Sequence, residues 1–133
     1  MGRIFIDILT LFHRMFDGFF GEGLLKIAAE KGKAEFHAWD LRAFSRDRHH
    51  KVDDRPYGGG AGMVMAPDPI FRAVEHVDGL RGGAAVKILL TPQVVPFRQP
   101  LAREFSAAPG LLLICGRYEG FDERVRLIPG IRE

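Results

Sequence analysis

The sequence predicts an α/β domain, a mostly parallel sheet flanked by helices. Three observations carry that prediction. Strand-like and helix-like periodicities alternate along the chain, in the order β-α-β, a long loop, then α-β-α-β-α. Two short runs, Ala85–Leu90 (AVKILL) and Leu111–Cys115 (LLLIC), are almost wholly apolar, as strands covered on both faces must be. One helical pattern lies between them, so they form a βαβ unit with parallel strands and a right-handed crossover. The 133 residues fit one domain, and 47% of them are hydrophobic, enough for a core.

Arg3 to Leu9 alternates and is rich in β-branched and aromatic residues, which reads as the first strand. From Met15 to Lys31, Phe16, Phe19, Phe20, Leu24, Ile27 and Ala28 recur at helical spacing, and Gly32 stops the helix. Ala34 to Trp39 reads as the second strand. Leu41 to Tyr57 (LRAFSRDRHHKVDDRPY) is charged and irregular, a long loop of the kind that carries function or disorder. A short apolar piece, Met63 to Met65, follows the glycines. Pro67 and Asp68 then start a helix that runs to Val77, and Gly79 to Gly83 form a turn. Pro96 to Ala107 is helical in pattern, with Pro100 in its first turn, where proline is tolerated. Asp122 to Ile128 begins a further helix. No repeat, low-complexity segment or interdomain linker interrupts the pattern.

Net charge is +2, mildly basic, which permits a nucleic-acid partner without demanding one. The single cysteine, Cys115, forbids an intrachain disulfide and a multi-cysteine metal site, and suits a reducing cytoplasm. No apolar run approaches the roughly 18 residues of a membrane span. The first residues, MGRIFIDILTLF, carry Asp7 in their middle and no small-residue cleavage pattern, so they read as a strand and not a signal peptide. Ile6 stands where a myristoylation motif needs Ser or Thr.

Parallel strands put the ends of AVKILL and LLLIC on one edge of the sheet, where open α/β sheets bind ligands. Two loops leave from that edge: TPQVVPF (Thr91–Phe97) and GRYEGFDER (Gly116–Arg124). Thr91 and Gln93 offer hydrogen-bonding groups beside a stiffening proline. Gly116 and Gly120 let backbone amides approach a ligand. Tyr118 can stack or donate, and Glu119 can accept from a ribose hydroxyl or an amine. Either loop alone could be an ordinary turn; their convergence favours a pocket. A third stretch, VDDRPYGGGAGMVM (Val52–Met65), sets glycines beside two carboxylates and an arginine. It is neither a P-loop nor a G-x-G-x-x-G fingerprint, and no G-x-S-x-G elbow or zinc pattern occurs elsewhere. His49 and His50, among charges, read alone as solvated loop residues, and Cys115 as a packing residue.

Read together, DRHHKVDDRPYGGGAGMVM, LLTPQ and LLICGRYEGFDERV closely resemble the bacterial tRNA (guanine-N1)-methyltransferase family, from Ile4 to about Arg126. The resemblance implies a SPOUT-type α/β-knot methyltransferase domain, cytoplasmic and homodimeric. Such an enzyme moves a methyl group from S-adenosyl-L-methionine to N1 of the guanine 3′ of the anticodon, guanosine-37 of tRNA. It also implies a trefoil knot around the donor and a possible Mg2+ requirement, for which no residue here identifies a site. Carried over by position, Leu90, Thr91, Pro92 and Gln93 fall on one wall of the donor pocket, and Gly116, Tyr118, Glu119 and Gly120 on the other. His49, Asp53, Arg55 and Gly62 match positions used for tRNA and the dimer interface. Arg55 can then contact phosphate or a base edge.

The sequence departs from the family pattern at three places. Val94-Val95 stand where Gly-Arg is usual, and valine resists φ > 0. His13 replaces a usual proline, with little functional effect expected. Family members continue past the position of Glu133 into a segment that completes the pocket and threads the knot. A helical tRNA-binding domain with the catalytic aspartate and an essential arginine follows there. The expectation is therefore an S-adenosylmethionine-binding domain over residues 1–133, truncated before the knot-completing segment and inactive alone, with no catalytic residue among the 133. Rival readings are a SPOUT-type enzyme for another RNA, a non-catalytic RNA- or nucleotide-binding module, and a dimerisation domain.

Overall fold

A computed structural model describes residues 3–48, 51–54, 64–90, 97–116 and 121–133. Four strands form the sheet: β1 (Ile4–Thr10), β2 (Ala34–Asp40), β5 (Val86–Leu90) and β6 (Gly110–Cys115). Their spatial order is β2-β1-β6-β5, and every pairing is parallel. Helices α1 (His13–Phe20), α2 (Gly23–Glu30), α3 (Pro67–Leu80) and α4 (Gln99–Ser106) connect them. Two-residue strands β3 (Asp53–Asp54) and β4 (Val64–Met65) pair antiparallel with each other. The chain turns one way from β1 to β2 and reaches β6 from the opposite edge through β5. The switch point therefore lies between the ends of β1 and β6, where open sheets bind ligands.

One sheet face holds the core. Leu9, Leu89, Leu112 and Ile114 pack against Ile70, Ala73, Val74 and Val77 of α3, with Leu41, Val52, Met65, Phe121 and Val125 closing the cluster. Asp7 lies within β1, fully buried. Arg81, the residue that ends α3, donates to it through Nε and Nη2, each at 2.9 Å, and Trp39 Nε1 donates at 2.9 Å. The Arg81 guanidinium also lies 4.3 Å from the centre of the Phe5 ring. These contacts join the end of α3 to the middle of the sheet, and the carboxylate of Asp7 raises the pKa of Arg81.

The other face is covered only in part. α1 and α2 bury no residue completely, and Phe20 stacks on Phe36 of β2 at 4.9 Å. At the other end α4 brings Phe105 against the sheet, with Phe97 stacked on it. Between them lies an apolar groove of about 440 Å³, lined by Ile4, Ile6, Ile88, Leu90, Leu111 and Leu113 among others. The sequence predicts a sheet covered on both faces; among the described residues this second face buries Ile8 and Ile88 and leaves Ile4, Ile6, Leu111 and Leu113 partly exposed.

Several boundaries also differ from those the sequence predicts. The helix expected from Met15 to Lys31 is two helices, because the chain breaks at Gly21–Gly23 and Gly23 adopts φ +62°. Apolar spacing continues across the break, so periodicity alone misses it. Gly32, at φ +68°, ends α2 as expected. α3 runs on to Leu80, past Gly79, which has a helical backbone. The expected helix at Asp122 is a 3-10 turn, Glu123–Leu127, and the long loop contains a second such turn at Leu41–Phe44. Near its end the chain adds to the free edge of β5: Arg132 N–H donates to Lys87 O at 2.9 Å and Leu89 N–H to Arg132 O at 2.6 Å.

Candidate functional site

The site begins with strand register. Leu90 and Cys115 are paired partners at the ends of β5 and β6, so the segments after them leave from neighbouring points on one edge. Leu90 is half exposed and offers apolar surface there. Gly116, one residue beyond β6, is exposed and carries no side chain. Of the expected donor-pocket residues these two are described. Thr91, Pro92, Gln93, Tyr118, Glu119 and Gly120 lie outside the described residues, as do Val94 and Val95. Of the expected tRNA and dimer residues, Asp53 opens β3, while His49, Arg55 and Gly62 lie outside the described residues.

Gly116 has a steric reason to be glycine. A Cβ there would lie 2.5 Å from Cζ and 2.8 Å from Cε2 of Phe121, whose ring rests on the Gly116 backbone. The ring closes the base of the loop that joins Gly116 to Phe121. Phe121 itself forms a parallel bridge with Met65, and the Asp122 N–H donates to Met65 O at 3.1 Å. On its other side β4 pairs with β3, Asp53 opposite Met65, and the Ala66 N–H donates to Val52 O at 2.7 Å. The two ends of the glycine-rich stretch and the end of the GRYEG loop thus share one run of backbone pairing.

Asp122 anchors this seam. Its carboxylate is buried and accepts from Arg124 N–H at 2.9 Å and from Arg124 Nε and Nη2, each at 2.8 Å. The Arg124 guanidinium lowers the Asp122 pKa more than burial raises it. A carboxylate with a depressed pKa contributes stability above its unfolded value of about 3.9, and that contribution is lost as pH falls through the lower folded value. Asp122→Asn is therefore expected to melt lower than the parent at pH 7, with the gap closing below about pH 3.9. Melting curves at pH 7 and pH 3 check this; a gap that widens in acid contradicts it.

Sequence reasoning missed Phe121, Met65 and the partner of Asp122. The signal was present in FDER, where Asp122 precedes a turn it caps, but nothing in the string shows that Phe121 reaches back to Met65. The Cys115 thiol is half buried, and burial pushes its pKa up, so it stays protonated and is a poor nucleophile. His13, at the start of α1, lies 3.8 Å from Asp40. Among the described residues no three metal-ligating side chains converge, and no helix is long and apolar enough to cross a membrane.

A parallel sheet of this order, with its loops on the carboxyl edge, is the SPOUT methyltransferase type of fold. The chain superposes on the crystal structure of tRNA (m1G37) methyltransferase from Aquifex aeolicus with a TM-score of 0.88 and 36% identity, covering 98% of this chain and 59% of that one. Residues 4–128 match the tRNA (guanine-1)-methyltransferase TrmD family, and the chain belongs to that family. The tRNA (guanine-N(1)-)-methyltransferase of Desulforudis audaxviator is 54% identical over 122 residues, which cover 91% of this chain and 49% of the relative. That of Moorella thermoacetica is 47% identical over 131 residues, covering 96% of this chain and 52% of the relative. The chain spans about half the length of the curated relatives it matches.

Proposed function

We propose that residues 1–133 form the S-adenosyl-L-methionine-binding domain of a tRNA methyltransferase acting at N1 of guanosine-37. The observation that carries this reading is the register of β5 and β6. It ends the two strands at adjacent points beside the switch point, Leu90 and Cys115, from which the chain runs on into TPQ and GRYEG, and both strings lie within the residues 4–128 that match the family. Leu90, Thr91, Pro92 and Gln93 are assigned one side of the donor, and Gly116, Tyr118, Glu119 and Gly120 the other. His49, Asp53, Arg55 and Gly62 are assigned to tRNA and to a second copy of the chain in a homodimer. The pairing of Asp53 with Met65 brings the start of that stretch to the same seam as the end of the donor loop.

The reaction is an in-line displacement. A bond forms between N1 and the methyl carbon, the sulfur–carbon bond breaks, and S-adenosylhomocysteine leaves. The N1 proton goes to a general base. Positioning of donor and acceptor supplies much of the rate. We assign the base to none of the 133 residues, so this stretch alone is proposed to bind donor without transferring the methyl group.

Calorimetric titration of S-adenosylmethionine into the chain tests this. Saturable binding is expected, weakened about tenfold or more in Glu119→Ala, which removes a charged hydrogen bond of about 1.5–3 kcal/mol. No binding to a chain with a cooperative melt rules out donor binding by residues 1–133. Methylation of tRNA by the same chain would overturn the assignment of the base elsewhere.

A further inference from the structure

The donor loop and the glycine-rich stretch are 50 or so residues apart in the chain, yet their described ends meet in one seam. Met65 has Asp53 on one side and Phe121 on the other. Both of its side neighbours are held by backbone pairing. Met65 is fully buried and Phe121 nearly so, so neither can shift without the core shifting. The Phe121 ring sits on Gly116 at the root of the donor loop. Asp122, buried and held by Arg124, fixes the direction in which the chain leaves.

We infer that Phe121 is a positioning residue that couples the end of β6 to the β3–β4 pair, so that a ligand held at Gly116 is felt at Asp53 and Met65. This rests on the donor reading for the identity of the ligand, but the coupling itself is a property of the seam. A ligand ordering the loop root must act on the ring that covers it. The ring is continuous with the Phe121 backbone, and that backbone pairs with Met65. Binding at one end therefore reduces opening at the other, a coupling carried through local opening equilibria. Reciprocity requires that a partner ordering β3–β4 tighten ligand binding at Gly116 by the same factor.

Hydrogen exchange of the chain, resolved at residues 51–54 and 64–66, tests the inference with and without saturating S-adenosylmethionine. In the parent the ligand is expected to slow exchange there by about fivefold or more, the low end of coupling between distinct sites. In Phe121→Leu, which keeps an apolar side chain but withdraws the ring, exchange there is expected to be faster without ligand, while β1 amides are unchanged. The ligand-induced slowing is expected to shrink. A structural role alone would raise exchange throughout the core. Phe121→Met, whose flexible unbranched side chain refills more of the space, is the second variant, should the first melt too low.

Donor binding that leaves 51–54 and 64–66 unchanged in the parent overturns the coupling. So does slowing of equal size in parent and variant. If no donor binds, the donor reading fails, and the ligand-free comparison still decides the seam: faster exchange confined to 51–54, 64–66 and the Gly116–Asp122 region supports it, and none overturns it.

Discussion

Asp7→Ala is expected to destabilise the domain by about 3–5 kcal/mol, the cost of removing one partner from a buried ion pair. Asp7 has no exposure, and Arg81 has 16% of its side chain exposed. The variant takes from the guanidinium the carboxylate it is paired with, leaving it against the Phe5 ring, and strips Trp39 Nε1 of its acceptor. Domains of this size hold about 5–15 kcal/mol in all, so the loss is a large fraction of total stability. Denaturant melts should show the midpoint falling with little change in slope. Asp7→Asn keeps an acceptor for Trp39 and is expected to lose less. A loss under about 1 kcal/mol for Asp7→Ala would place the pair among weak surface bridges and remove its role in holding α3 to the sheet.

Gly116→Ala is expected to lower both the stability of the domain and its affinity for the donor. One methyl group placed 2.5 Å from Cζ of Phe121 cannot be accommodated without moving the ring. Overpacking of this kind costs about 1–3 kcal/mol. Because the ring forms the base of the proposed donor loop, S-adenosylmethionine affinity is expected to fall about tenfold or more, about 1.4 kcal/mol or above. Adding Phe121→Leu removes the clash and should restore melting toward the Phe121→Leu parent, without restoring full affinity. Titration of the two single variants and the double variant checks this. Wild-type affinity in Gly116→Ala would show that the ring and the donor loop are independent.

The glycine-rich stretch illustrates how far composition carries. Four glycines beside Asp53 and Arg55 mark a place where backbone freedom meets charge, and the string lies within the residues 4–128 that match the family. It does not show what its ends touch. The β3–β4 pair holds the start and finish of the stretch together, and β4 then bridges to a residue 56 positions later, Met65 to Phe121. Such a contact depends on where β6 delivers the chain, which no local pattern encodes.

The helical segments show the same division. Apolar spacing from Phe16 to Ala28 predicted helix and was right about the type. It missed the break at Gly23, since a residue with φ +62° leaves the apolar periodicity intact on either side. The Asp122–Ile128 segment has helix-start chemistry, and Asp122 does cap a turn. Arg124 folds back onto Asp122, and the segment closes as a tight 3-10 turn against Val125 and Ile128 in the core.

The sequence by itself determined the class of fold, the parallel pairing of β5 with β6, the shared edge at which both strands end and the family. Each follows from local periodicity, the length of a crossover, or strings long enough to be specific. Tertiary structure alone decided that Asp7 belongs to Arg81, 74 residues away, and that Phe121 covers Gly116. These are contacts between segments distant in the chain. Side-chain pairing across a sheet and a helix end depends on register and packing, and a string of residues records neither.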